Sequence, residues 1–166
     1  MDLRQEMLSE FREELSTTRR VLDRVPEDKL AWQPHPKSMP LGQLAMHLAT
    51  LPGGIAKMSR ADSFDLATRI GAAPMPKDTS EVFTAFEQSV RDVESTFTET
   101  SEENANAIWR LMRGEQEILS RSRFRVWRTF LLNHWYHHRG QLTVYLRMLD
   151  VQVPSVYGPS ADERPF

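Results

Sequence analysis

The sequence contains no cysteine. That excludes a disulfide framework, a thiolate metal site and a cysteine nucleophile. No apolar run approaches the roughly 20 residues that a membrane helix needs. The opening Met-Asp-Leu-Arg-Gln-Glu alternates charge with apolar side chains and lacks a signal-peptide core. An excess of one charge is missing too. Lys and Arg number 21 against 23 Asp and Glu, a formal net charge of −2, too small to select nucleic acid or an anionic membrane as partner. No internal repeat, heptad pattern or low-complexity tract is visible. What is present is 40% hydrophobic and 27% charged over 166 residues, the balance of an ordinary globular chain. The expectation is one cytoplasmic domain spanning 1–166 that folds without disulfide or structural metal.

Helical periodicity organises most of that chain. Leu3, Met7, Phe11, Leu15, Thr18, Leu22 and Val25 fall three or four apart, which predicts a first helix over 2–24 ended by Pro26. A loop with Pro34, Pro36 and Pro40 follows. A second helix starts near Leu41 and carries Leu44, Ala45, Leu48 and Leu51 on one face, with His47 among them. Pro52-Gly53-Gly54 predicts a kink rather than a stop, because Leu51, Ile55 and Met58 keep the spacing. Residues 60–78 read as loop. Asp78 and Glu81 have capping-box spacing ahead of a third helix to Phe97, with Val82, Phe83, Phe86, Val90 and Val93 on its face. Within 99–121, Ala105 to Met112 fits either a short helix or an extended segment. The fourth helix, about Ser122 to Asp150, is the most regular. The tail from Val151 to Phe166 reads as irregular, with Ser160 and Glu163 spaced to cap a last helical turn. The fold class is all-α, a four-helix bundle.

The histidines carry the chemistry. His134 and His138 are four apart, so they stack about 6 Å along one face of the fourth helix. Two imidazoles placed this way can grip one ion, and a third ligand must come from another element. His47 is the other histidine on a buried helical face. A hydrogen-bonded core histidine is the plainer reading of His47 alone, and His137, about 100° around from His138, is an alternative to His134. His35 belongs to a loop. Three neutral imidazoles suit zinc, nickel, iron or copper rather than calcium or magnesium. Three protein ligands leave a position open for water or a thiol. The HExxH arrangement is absent because Trp135 follows His134, so no built-in glutamate base accompanies the pair.

The run Asn133-His134-Trp135-Tyr136-His137-His138-Arg139-Gly140-Gln141-Leu142, followed by Tyr145-Leu146-Arg147, resembles the signature of the DinB (DinB/YfiT-like) family. So do Met46-His47-Leu48-Ala49 with Leu51-Pro52, and the ending Val153-Pro154-Ser155-Val156-Tyr157-Gly158-Pro159-Ser160. The resemblance covers nearly the whole chain. It implies an up-down-down-up four-helix bundle, often a homodimer, with a divalent metal on the residues matching His47, His134 and His138. Zinc or nickel is the expected ion, then iron. It also implies transfer or isomerisation with a low-molecular-weight thiol such as bacillithiol or mycothiol acting on a small-molecule substrate. With no cysteine in the chain, that thiol would have to diffuse in. The alternatives are a non-catalytic metal- or small-molecule-binding stress protein and, further off, a nucleic-acid-associated one.

Other features divide between structure and site. Arg110, Arg113, Arg121, Arg123, Arg125 and Arg128 read first as a solvated, ion-paired surface near Glu115 and Glu117. Arg121, Arg123 and Arg125 are then expected to be dispensable for the fold. The second reading of these arginines is an anion site. Trp32, Trp127, Trp135 and Tyr136 are core or substrate-lining aromatics, with Trp127 seven residues before His134 and so on its face. Gly140 either admits a close neighbour or is simply tolerated. Gln141, three residues after His138, is placed to hydrogen-bond a ligand's outer nitrogen. Leu132, Trp135, Leu142 and Leu146 spread over the remaining circumference of the fourth helix, which suggests a covering partner subunit in a two-fold dimer.

Overall fold

The computed structural model describes residues 2–68 and 71–164. The parts of the expected 60–78 loop and 151–166 tail that fall on Arg69, Ile70, Pro165 and Phe166 lie outside the described residues. The chain is mostly helical with one small three-stranded sheet. Helix α1 spans Leu3–Leu22, α2 Leu41–Met58 and α3 Thr79–Glu99. The last long run comprises the short α5, Arg123–Val126, a π-helical stretch Trp127–Asn133, and α6, His134–Met148.

Hydrogen bonds and ion pairs give the sense in which these helices run past each other. Gly53 meets Ser89, Lys57 meets Asp92 and Arg60 meets Glu99, so α2 and α3 are parallel. Arg12–Glu94 and Arg19–Glu87 make α1 antiparallel to α3. Glu10 bonds Tyr136 and Glu14 bonds Arg139, so α1 and α6 run together. Leu48 meets Trp135 while Ser59 meets Trp127, which sets α2 antiparallel to the last run.

Each helix end has a local cause. The Asp78 carboxylate accepts from Glu81 N–H at 3.0 Å, and Glu81 answers by accepting from Lys77 N–H, a capping box displaced by one residue. Helix α6 closes where Asp150 turns left-handed at φ 57. Val151 N–H reaches Leu146 O and Asp150 N–H reaches Arg147 O, a Schellman closure with aspartate where glycine is usual.

Two places in α2 depart from simple periodicity. The helix continues through Pro52, as its apolar spacing predicts. Proline has no N–H, so Leu48 O, four residues earlier, loses its helical donor. The Trp135 indole N–H donates to that oxygen at 2.9 Å. At the next residue, Gly53 lies so close to α3 that a β-carbon there would sit 2.7 Å from Ser89 Cα. The buried Ser89 hydroxyl accepts from Gly53 N–H at 2.7 Å. Only glycine permits this approach.

The sheet is the main departure from the expected all-helical chain. Strand β1, Ser63–Asp65, lies inside the stretch read as loop. It pairs in parallel with β2, Ile108–Arg113, which pairs antiparallel with β3, Gln116–Ser122. The extended reading of 105–112 therefore holds from Ile108 onward, while a short α4, Glu102–Asn106, precedes it. Arg113 opposes Gln116, leaving Gly114 and Glu115 as a two-residue turn. Gly114 has φ +58 at the first turn position, where a type II′ hairpin takes glycine.

The tail is irregular, as expected, yet tied down. Asp162 pairs with Arg147 and accepts from Val153 N–H, and Glu163 pairs with Arg20 and Arg24. Ser160 Oγ accepts from Glu163 N–H at 2.9 Å, but no helix follows among the described residues, so the cap-like spacing closes a turn there instead. Leu132, Trp135, Leu142 and Leu146 are all fully buried within this single chain. The argument for a covering partner from those side chains no longer holds.

Candidate metal centre

Helix α2 supplies His47, and the first two turns of α6 supply His134 and His138. One ligand atom from each lies within 4.8 Å of the others, a group that could hold a metal ion. The ring centroids of His47 and His138 are 4.4 Å apart, those of His134 and His138 4.6 Å, and those of His47 and His134 5.7 Å. His138 is buried, and His47 and His134 are half-buried. The group therefore opens towards solvent on the side of the latter two.

The donor chemistry fits an ion. His138 Nε2 and His134 Nε2 are 2.8 Å apart. Two nitrogens at about 2.0–2.1 Å from one ion stand about 2.9 Å apart at a right angle and about 3.3 Å at the tetrahedral angle. A small opening of the pair reaches either value. His138 Nδ1 lies 2.7 Å from Gln141 Oε1. With Nδ1–H donating to that amide oxygen, Nε2 is left as a lone pair aimed into the group. Burial holds the His138 imidazole below its ordinary value, and the neighbouring His137 lowers it further. The Gln141 hydrogen bond opposes them. The net result favours the neutral ring that a metal requires. No carboxylate belongs to the group, so an ion held there would keep its full charge and attract an anionic ligand.

The remaining expected residues separate cleanly. His137 is exposed and outside the group, and His35 is an exposed loop residue whose Nδ1 accepts from Lys37 N–H. Of the four aromatics, three serve elsewhere. Trp127 donates to Ser59 Oγ and packs on Phe97. It does not share the His134 face, because the π-helical stretch between them adds residues per turn and breaks the α-helical phase. Trp135 serves Leu48 O, and Tyr136 donates to Glu10. Burial and the Glu10 contact push the Tyr136 hydroxyl well above its ordinary range. Burial raises Glu10, yet its bonds to Arg128 and Tyr136 outweigh that and leave it lowered. Trp32 meets Tyr145 edge to face at 5.6 Å. Nothing approaches Gly140, which is simply tolerated.

Two arginines behave unlike the solvated residues they resemble in sequence. Arg123 is buried and donates to Ser59 O, Ala61 O and Asn104 O, besides pairing with Asp62. It closes the C-terminal end of α2, a place unlike the solvated surface read from the sequence. Arg110–Glu117 and Arg128–Glu10 do form ion pairs, in keeping with the first reading of that segment. Arg139, next to His138, is also buried. It pairs with Glu14, donates to Thr18 Oγ1 and Tyr157 Oη, and lies between the Tyr136 and Tyr157 rings. The only sequence signal for it was its place in the His-His-Arg-Gly-Gln run.

Comparison with known proteins agrees with this architecture. A DinB-like protein of Bacillus cereus ATCC 10987 superposes with a TM-score of 0.71 at 22% identity, covering 92% of this chain and 97% of that one. A second, YjoA of Bacillus subtilis, gives 0.68 at 18%, covering 91% and 96%. In sequence, the uncharacterised YrdA of Bacillus subtilis (strain 168) is 27% identical over 157 residues, 90% of this chain and 85% of that protein. The DinB family model matches residues 1–164, and the chain belongs to the DinB family.

Proposed function

We propose that the protein is a metal-dependent enzyme that activates a small-molecule thiol or water for transfer to an electrophilic substrate. His47, His134 and His138 are the ligands of a divalent transition metal, zinc or nickel before iron. The observation that carries this reading is the convergence of three imidazole donors from two helices, without a carboxylate in the group and with His47 and His134 half-buried. When bound, such an ion lowers the pKa of a thiol or water at its open position towards neutrality. The chain's own part is orientation. Gln141 sets the His138 tautomer, and Trp135 locks α6 onto α2 beside His47. No cysteine competes for the ion, so any sulfur nucleophile comes from outside.

For the long helices we infer the up-down-down-up four-helix bundle. The parallel α2–α3 and α1–α6 pairs and the antiparallel α1–α3 and α2–α6 pairs support it.

Elemental analysis of purified variants tests the ligand set. His47→Ala, His134→Ala and His138→Ala are each expected to lose most of the metal, whereas His35→Ala and His137→Ala keep it. Full occupancy in His47→Ala, or loss only in His137→Ala, rejects the assignment. A thiol panel with an electrophile, run with and without metal, then tests turnover.

A further inference from the structure

Along α6, His134, His138, Gln141 and Tyr145 fall at intervals of four, three and four, so they share one face. Tyr145 lies about 10 Å from His138 along the helix axis. On the α2 side, Trp32 O accepts from Leu41 N–H at 2.7 Å, which places Trp32 at the start of α2. That is about 9 Å along the axis from His47. The two helices are antiparallel, so the Trp32–Tyr145 pair and the histidine group occupy one side of the same helix pair. The rings meet edge to face at 83°, and both residues are half-buried.

The polar atoms of that pair face solvent rather than protein. Among the described residues, neither Trp32 Nε1 nor the Tyr145 hydroxyl makes a hydrogen bond. The other three tryptophans are fully buried, and two of them have indole partners. Both residues pack against the core on their inner side and present a ring edge with a solvent-facing donor on the other. They offer a flat apolar body something to lie against and an acceptor something to bond.

We propose that Trp32 and Tyr145 form the platform for the body of a ligand whose anionic head sits at the three histidines. The inference rests on the metal-and-thiol reading above and extends it to substrate class. The ligand is a donor atom joined by a short flexible linker to an aromatic or flat conjugated group, which lies about 9–10 Å along the helix pair from the histidines.

The test uses the full-length protein loaded with cobalt(II) and three thiols. Benzenethiol carries its ring too close to sulfur to reach the platform. Butane-1-thiol has no ring. 4-Phenylbutane-1-thiol places the ring at the right distance. Affinity is read from the thiolate-to-cobalt charge-transfer band. The native protein is expected to bind 4-phenylbutane-1-thiol about tenfold more tightly than the other two. Trp32→Leu, which keeps apolar volume but loses the ring, abolishes that preference. Trp32→Phe keeps most of it. A second readout needs no variant. Trp32 is the one tryptophan within reach of iodide, since Trp109, Trp127 and Trp135 have no exposed surface. Bound 4-phenylbutane-1-thiol is expected to shield the fluorescence from iodide, and butane-1-thiol is not.

Equal affinities for the three thiols, a preference that survives Trp32→Leu, or unchanged quenching with 4-phenylbutane-1-thiol bound each overturns the platform and leaves the metal-and-thiol reading standing. Cobalt that loads without a thiolate band for any thiol overturns that reading itself, and the platform with it. If Trp32→Leu fails to load cobalt, the contrast in iodide shielding decides alone.

Discussion

The bond from Trp135 to Leu48 O makes a stability prediction that depends on a proline in another helix. In Trp135→Phe the benzene ring can keep its place near Phe11, whose centroid is 5.2 Å away, but the indole N–H is gone. Leu48 is fully buried, and Pro52 has already removed its carbonyl's helical donor. An unsatisfied buried acceptor costs about 1–3 kcal/mol. The smaller ring adds a cavity term, for a total of about 2–4 kcal/mol. In a chain of this size each kcal/mol lowers Tm by about 2–4 °C. Pro52→Ala supplies an N–H at residue 52 that can bond Leu48 O within α2. Against that background Trp135→Phe keeps its cavity cost and loses its acceptor cost. Urea unfolding of the two single variants and the double variant gives the coupling directly. The expected coupling is about 1–2 kcal/mol, with the double variant more stable than the sum of its parts. Additivity within about 0.5 kcal/mol would refute the claim that the indole substitutes for the missing amide.

Three further outcomes follow from the site and its supports. Gln141→Leu removes the acceptor that sets the His138 tautomer, and chelator competition is expected to show metal affinity falling about 10–100-fold without loss of helicity by circular dichroism. In metal-free protein burial is expected to hold His138 below the ordinary histidine value of about 6.5, so the unfolded chain binds that proton first as pH falls. Stability is then expected to drop below pH 6.5, and a proton NMR titration placing His138 above 6.5 contradicts this. Arg123→Gln is expected to cost about 2–4 kcal/mol, because carbonyls at Ser59, Ala61 and Asn104 lose their donor. Arg121→Gln and Arg125→Gln, both exposed, shift the urea midpoint little.

How legible these features are in the sequence depends on how local their causes are. His134 and His138 announce themselves because helix periodicity alone puts them together, and His47 because its neighbours Leu44 and Leu51 mark the buried face. Asp78 is readable for the same reason, since a cap is settled within four residues. The sheet is not. Ser63 pairs with Arg110 across the whole of α3 and α4, and the two-residue Gly114-Glu115 turn lacks an Asn-Gly or Asp-Gly signal. Charge misleads in a related way. Arg123 and Arg139 look like Arg121 and Arg125 in sequence, but their partners are carbonyls and a carboxylate from other elements. Pro52-Gly53-Gly54 reads as a kink rather than a stop, and α2 does continue through it to Met58. The residue that compensates it lies in α6, where nothing local points back to Leu48.

The π-helical stretch before His134 works as a phase adjuster between two packing problems. Ahead of it, Trp127 must point at Ser59 and Phe97 near the C-terminal end of α2. Beyond it, His134 and His138 must point at His47. A continuous α-helix ties those two directions together at about 100° per residue, so a change made to suit one would turn the other away. Extra residues in the wide turn uncouple them. The fully buried layer around Trp127 and the half-open layer around the histidines can therefore each be aimed without disturbing the other. Imposing α-helical winding on Trp127–Asn133 with every residue kept would rotate the histidine pair as a unit out of line with His47, with both imidazoles still present and still four residues apart.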